Sequence, residues 1–256
     1  MLTPIQFEPE EASWHGIPEF NVLEHNITDS GFSPLFPQAH CTQDGTICQA
    51  VAGEAEINAA SAIIALVHSP AFDLMRTYFL IAGIGGISPK QGTLGSVAFA
   101  RFAVQVALQR EFDARDKPAD FPSGYFPQGT TSPGVFELND DLRQLAIGFA
   151  KTGTLVDDAR SQQYRASYAN DSDFAPAAAP PPVIACDCDT ATSYVYWSGP
   201  LLAAAFENTT ALFTNGTATY CTTQQEDNAI LEALVRGTRA GLVVRTGSDF
   251  ERPYPG

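Results

Sequence analysis

Three separated stretches carry residue types that could do chemistry. Val243-Val244-Arg245-Thr246-Gly247-Ser248-Asp249-Phe250 is an apolar, β-branched run that ends in small residues and presents one carboxylate. A buried strand that delivers an acid at its carboxyl end is where α/β folds place reactive groups. Ala82-Gly83-Ile84-Gly85-Gly86 follows a strand-like run. Glycines at Gly83, Gly85 and Gly86 would let backbone N–H groups approach a ligand, or would simply make a tight turn. The dinucleotide fingerprint is absent, because neither G-x-G-x-x-G nor an acid about 20 residues on is present. In Gln225-Glu226-Asp227-Asn228-Ala229 an acid opens a helix, where it either meets a ligand or merely complements the helix dipole. A fourth stretch, Phe7-Glu8-Pro9-Glu10-Glu11, places acids after a short apolar start. The four histidines are scattered, with no Ser-His-Asp or Cys-His arrangement.

The elements that must position these groups can be read from hydrophobic pattern and breakers. Met1–Phe7 reads as a stub of a first strand. Leu35–Ala52 reads as a hairpin around Asp44-Gly45, and Glu54–His68 as a buried helix. A central strand is predicted over Thr77–Ala82, running into the glycine turn. Gly95–Leu108 fits either a strand pair or a strand and a bend. Pro118–Pro133 reads as loop. Asn139 or Asp140 caps a helix that runs to Ala150. Ala175–Pro182 reads as a stiff extended linker. Val183–Cys186 and Ser193–Trp197 look extended, and Leu201–Phe206 is a helical turn or two. A strand over Ala218–Cys221 precedes a helix over Glu226–Ala240, and Leu242–Arg245 is the last strand. Helices alternate with buried strands and no repeat is visible. The pattern predicts one three-layer α/β domain over residues 1–256, a central mixed β-sheet flanked by helices.

Bulk properties remove several function classes. With 256 residues and 45% hydrophobic content, the chain is long enough and apolar enough for a sizeable core. The net charge of −15 argues against nucleic acid and anionic membrane surfaces as partners. No apolar run reaches the ~18–20 residues that span a bilayer, so no membrane span is expected. Cys41 and Cys48 flank the Asp44-Gly45 turn, which predicts a disulfide across the hairpin. Cys188 and Cys221 can form a second bridge, leaving Cys186 odd. A zinc site is the competing reading, but C-x-C is poor zinc spacing and no histidine lies near, so no metal is expected. Sequons occur at Asn26, Asn170, Asn208 and Asn215. With paired cysteines they point to a secreted protein, at the cell surface or in the endomembrane lumen.

The stretches together resemble the purine nucleoside phosphorylase and nucleosidase superfamily. Val-Val-Arg-x-x-Ser-Asp and an acid-containing stretch like Glu226-Asp227-Asn228-Ala229-Ile230 occur in the methylthioadenosine/S-adenosylhomocysteine nucleosidases. Their Gly-Gly turn is followed by a proline and a Gly-x-Ile/Val strand, as Ser88-Pro89-Lys90 and Gly95-Ser96-Val97 are here. The resemblance is nearest to the fungal purine nucleoside permease family. It rests on Gly53–Ala60, Phe102–Arg115, Ala205–Thr210 and Arg245–Pro253 and covers nearly the whole chain.

The resemblance implies roles. Asp249 would be a general acid at purine N7, oriented by Ser248. Such an acid is worth about 10²–10⁴ in rate when the leaving base gains negative charge. Glu226 would bind the ribose hydroxyls, with Asp227 and Asn228 beside it. Glu10 would activate the attacking water, with Arg245 helping to place it. Tyr196 or Trp197, in Thr192-Ser193-Tyr194-Val195-Tyr196-Trp197, would stack on the purine or else be a core aromatic. An acid at Glu10 favours hydrolysis, since a phosphorylase needs cations and backbone donors for its anion. The expected function is therefore purine nucleoside N-ribosyl hydrolysis, with no cofactor. A phosphorylase using phosphate as co-substrate on the glycine turn is the enzyme alternative. A purine nucleoside binding protein that feeds a separate transporter is the non-catalytic one. Self-association into a homo-oligomer is left open. The family implies a longer first strand than Met1–Phe7 and a final helix after Asp249. Both are expected to be shortened or missing here.

Overall fold

The computed structural model describes residues 8–111, 115–116, 118–120, 125–127, 134–178, 181–237 and 241–254. The chain divides into two compact units, Met1–Tyr78 with Ala229–Ala240, and Phe79–Asn228 with Gly241–Gly256. Met1–Phe7, expected to begin a strand, lies outside the described residues.

The first unit opens with helix α1 (Glu8–Ala12) and continues with strands β1 (His25–Thr28), β2 (Gln38–Cys41) and β3 (Cys48–Ala50), then helix α2 (Ala55–His68). The three strands form one antiparallel sheet. Cys41 pairs in register with Cys48 across the β2–β3 hairpin, and the two are disulfide-bonded, as the turn predicts. The Asp44 carboxylate accepts from the Thr42 and Thr46 hydroxyls and the Thr46 N–H. Those bonds hold its pKa down to about 2.

The second unit holds β4 (Phe79–Ile87), β5 (Val97–Phe99), β6 (Phe102–Gln105), β7 (Gln109–Glu111), β8 (Tyr125–Pro127) and β9 (Val135–Glu137). Helices α3 (Asp140–Ala150), α4 (Ala159–Arg165) and α5 (Ala175–Ala178) follow, then β10 (Ile184–Ala185), β11 (Asp189–Thr192), α6 (Pro200–Phe213) and β12 (Tyr220–Gln224). Strand β13 (Gly241–Phe250) is the last of this unit, and helix α7 (Asp227–Arg236) begins in it and belongs from Ala229 on to the first unit. Among the described residues, eight strands make a mixed sheet in the order β10-β5-β13-β4-β12-β11-β6-β9. The long central pair, β13 and β4, is parallel, and β12 meets the end of β4 antiparallel. This is the expected α/β class with a central mixed sheet.

Helices cover the sheet with apolar side chains. Ile147 of α3 packs with Phe99 and Leu242. Phe206 of α6 packs with Val104, Ala191, Trp197 and Tyr220. A third cluster joins Ile87 and Phe250 at the ends of β4 and β13 to Tyr168 and to the buried Cys188–Cys221 disulfide. Asp189 is the main polar tie. Its carboxylate accepts from the N–H groups of Arg101, Phe102 and Thr219 at 2.8–2.9 Å, so one buried acid fastens the starts of β6 and β12 to β11.

Several boundaries differ from the sequence reading. Gly83–Gly86 is not a turn; β4 continues through it to Ile87. The reason is packing. A Cβ on Gly85 would lie 2.7 Å from the Thr223 carbonyl oxygen, and one on Gly86 2.5 Å from Thr223 Oγ1. These glycines let three strands crowd together. Likewise β13 runs on through Gly247 and Ser248 rather than stopping at Arg245. Gly95–Leu108 contains two short strands, β5 and β6. Ala175–Ala178 is a helical turn, not an extended linker, and Ala179 and Pro180 lie outside the described residues. The extended segment is Asp189–Thr192, not Ser193–Trp197, and α6 is 14 residues long. Within Pro118–Pro133, Tyr125–Pro127 pairs with β7, while residues 121–124 and 128–133 lie outside the described residues.

Helix α4 is pinned by a two-pronged ion pair. Arg165, 2% exposed, donates from Nη1 and Nη2 to the two oxygens of Asp157. Hydrogen bonding to Arg165 holds the Asp157 carboxyl below its ordinary value of 3.8. A depressed folded-state pKa stabilises above the unfolded value and is lost as pH falls through the folded one. The melting temperature of Asp157→Asn should therefore fall below that of the parent at neutral pH. The gap should shrink as pH drops below about 4, as read by thermal melts across pH.

Candidate active site

The site is built around the end of β13. Its register with β4 runs in step until Gly247 opposite Gly85, then resumes with Asp249 opposite Gly86. Ser248 is thus an extra residue, a β-bulge. Neighbouring residues of a regular strand point to opposite faces. A bulge breaks that alternation and re-aims side chains, often beside active sites. Here it lets Ser248 and Asp249 meet, with Ser248 Oγ 2.9 Å from Asp249 Oδ1.

Ser248 Oγ also lies 3.0 Å from the Gly85 carbonyl oxygen. A hydroxyl has one proton to give. That proton is shared between the Asp249 carboxylate and the Gly85 carbonyl. On the other oxygen, Tyr196 donates from its hydroxyl to Asp249 Oδ2 at 3.2 Å. Partial burial and then the Asp249 carboxylate hold the Tyr196 phenol above its ordinary pKa, so it remains a donor at neutral pH.

Asp249 and Ser248 line an open cleft of about 350 Å³ together with Leu94, Arg160, Ser161 and Tyr164. That volume is in the range of small-molecule sites, roughly 300–1,000 Å³. Leu94 and three residues of α4 were not singled out from sequence. Their segment has an aromatic and a cation but no spacing that marks it, and only packing of α4 beside β13 gives them a place.

Four residues upstream on β13, Arg245 is 5% exposed. Its Nε is 3.2 Å from Asp227 Oδ1, its Nη1 donates to the Ile84 carbonyl at 2.9 Å, and its Nη2 reaches Asp227 and, at 3.4 Å, Glu226 Oε2. Glu226 is therefore joined to the site strand through Arg245 and does not line the cleft that holds Asp249. Asp227, 0% exposed, also accepts from Thr190 Oγ1. Asn228 is buried too. It donates to the Gly134 carbonyl and accepts from Thr192 Oγ1. Both residues, expected near a ligand, spend their polar atoms on the protein.

Of the two candidate stacking aromatics, Trp197 is in the core. It is 4% exposed, meets Phe206 edge-on at 4.9 Å and donates from its indole nitrogen to Tyr220. Tyr196 alone reaches Asp249. Gly83, Gly85 and Gly86 are ladder positions opposite β13. Glu10 belongs to the first unit, on α1, where its main-chain carbonyl accepts from Ser13 Oγ. Its role as base rests on the resemblance. Among the described residues there is no group of three or more His, Cys, Asp or Glu able to hold a metal.

A family model described as purine nucleoside permease (NUP) matches residues 5–256. A purine nucleoside permease of Candida albicans is 44% identical over 252 residues, covering 90% of this chain and 61% of that protein. The chain therefore spans about three fifths of that relative's length. A probable purine nucleoside permease of Schizosaccharomyces pombe is 42% identical over 257 residues, covering 91% and 72%. Among solved structures, a 5'-methylthioadenosine/S-adenosylhomocysteine nucleosidase of Neisseria meningitidis, in complex with methylthio-immucillin-A, superposes with a TM-score of 0.58. It covers 97% of this chain and 82% of its own, at 15% identity. Futalosine hydrolase of Helicobacter pylori gives 0.55 over 97% and 84%, at 14% identity. These likenesses establish the nucleosidase-like fold.

The buried pair makes a direct prediction. Arg245→Met strands the Asp227 carboxylate without its cation and should destabilise the protein by about 3–5 kcal/mol. Adding Asp227→Leu should recover most of that loss in denaturant melts. A single variant as stable as the parent would show that the pair does not hold the strand.

Proposed function

We propose that this chain, which belongs to the purine nucleoside permease family, is a purine nucleoside N-ribosyl hydrolase. The observation that carries this reading is the bulge at Ser248, which sets the Asp249 carboxyl at the end of β13 on an open cleft, with Ser248 Oγ on one oxygen and the Tyr196 hydroxyl on the other. A carboxyl facing a cleft can serve as a general acid. The glycosidic bond breaks as the sugar becomes cationic and the base takes the electron pair. A proton delivered by Asp249 to purine N7 neutralises the charge that develops on the leaving base. Tyr196 holds the other carboxylate oxygen as the proton leaves. The resemblance to the nucleosidases assigns Glu226 to the ribose hydroxyls and Glu10 to the attacking water, which adds to the sugar carbon and gives up a proton. Arg245 holds Glu226. No cofactor enters the scheme.

The phosphorylase alternative placed phosphate on a glycine turn, and those glycines are a paired strand. A phosphorylase would need other anion donors. The relatives' name favours one other reading, a nucleoside binding protein that serves a separate transporter. Among the described residues no helix is long and apolar enough to cross a membrane. Two disulfides fit an oxidising compartment, and secretion with glycosylation at the exposed Asn26, Asn170, Asn208 and Asn215 is part of the proposal.

Inosine and adenosine incubated with the protein should release free ribose without phosphate. Ribose 1-phosphate would identify a phosphorylase, and bound but unchanged nucleoside a carrier. Asp249→Asn should keep nucleoside affinity within a few fold and lower turnover by about 10²–10⁴. Undiminished turnover would remove Asp249 from the mechanism.

A further inference from the structure

Helix α4 carries two arginines with opposite fates. Arg165 is buried and spent on Asp157. Arg160 is exposed, lines the cleft, and makes no side-chain hydrogen bond or ion pair among the described residues. It forms no ion pair with Asp249 although both line the same 350 Å³ space. The chain has 29 acids against 14 Lys and Arg. In so acidic a protein an arginine without a carboxylate partner among the described residues is poised for something from outside. A guanidinium only donates, and does so in a flat fork.

One turn further along α4, Tyr164 lines the same cleft and is 49% exposed. Phe250 lies nearly parallel to it, with ring centroids 6.1 Å apart and planes 19° apart, and Tyr168 meets it edge-on at 6.1 Å. The ring is thus braced from the protein side and open toward the cleft. A braced aromatic and a donor-only cation beside the Asp249 carboxyl together describe a site for a flat heterocycle with acceptors on one edge.

We infer that Arg160 and Tyr164 form the base-recognition wall of the cleft and select 6-oxopurine nucleosides over 6-aminopurine ones. The inference rests on the proposal that Asp249 addresses purine N7. On a purine, the 6-substituent is the neighbour of N7 on the same edge. Beside Asp249, a donor-only guanidinium suits the carbonyl oxygen of hypoxanthine or guanine. It does not suit the amino group of adenine, whose N–H bonds would point at another donor. Tyr164 offers the ring face on which the base lies. Ser161 completes the edge of the cleft, but its hydroxyl is spent on Asp158 Oδ2 at 2.7 Å.

The test uses equilibrium binding of inosine, adenosine and purine riboside, which lacks any 6-substituent, with and without inorganic phosphate. The parent protein should bind inosine more tightly than either of the others. Arg160→Gln should weaken inosine about ten- to a hundredfold, the worth of a hydrogen bond to a charged donor. The same change should leave adenosine and purine riboside nearly unchanged. Tyr164→Leu should weaken all three alike. The Arg160 side chain has no hydrogen-bond or ion-pair partner among the described residues, so its variant should keep the parent melting temperature. Equal losses for all three ligands with Arg160→Gln, a parent that prefers adenosine, or a loss seen only with phosphate present would each overturn the assignment. If Asp249→Asn abolishes turnover while Arg160→Gln leaves base preference intact, the hydrolase reading stands and this inference falls. If no purine nucleoside binds the parent protein, both fall.

Discussion

A guanidinium taken out of water must be matched charge for charge, and the arrangement of the second unit depends on how Arg245 is matched. Asp227 supplies the opposite charge from the first turn of α7, and the Ile84 carbonyl takes a further N–H from β4. One buried cation therefore joins β13, β4 and the junction between β12 and α7. Such pairs contribute little net stability over apolar packing, but they tolerate few alternatives, since leaving either ion alone in the interior is costly. The pair sets the position of Glu226 as a by-product, because Glu226 precedes Asp227 and reaches the same guanidinium.

Glycine provides the second constraint. Three strands meet at Gly85 and Gly86, where Thr223 of β12 stands within the space a Cβ would need. That close approach allows β13 to slip by one residue against β4 at Ser248. The slip re-aims the side chains at the strand end. It sets Ser248 beside Asp249 and within reach of the Gly85 carbonyl. Packing that looks purely structural thus places the acid.

The family's name and the molecule's chemistry meet at this site. An acid, a guanidinium and a braced tyrosine line one cleft, and the Tyr196 phenol reaches the same acid. The proposal of nucleoside hydrolysis and the reading suggested by the relatives' name both draw on this one set of residues.

Much was legible in the residues themselves. The Asp44-Gly45 turn announced the hairpin and its disulfide, and Asn139 announced the start of α3, where its side chain accepts from the Leu142 N–H. The pattern around Asp249 announced an acid at a strand end. These are local matters of turn chemistry, capping and alternation, and local sequence decides them. The glycines of β4 were read as a turn because glycine alone does not say whether it bends a chain or admits a neighbour. The length of β13, the bulge at Ser248, the burial of Asp227 and Trp197, and the entry of Arg160 and Tyr164 into the cleft of Asp249 were decided by tertiary structure. Each depends on which distant segment packs alongside, and contacts between residues far apart in the chain leave no periodic trace in either partner.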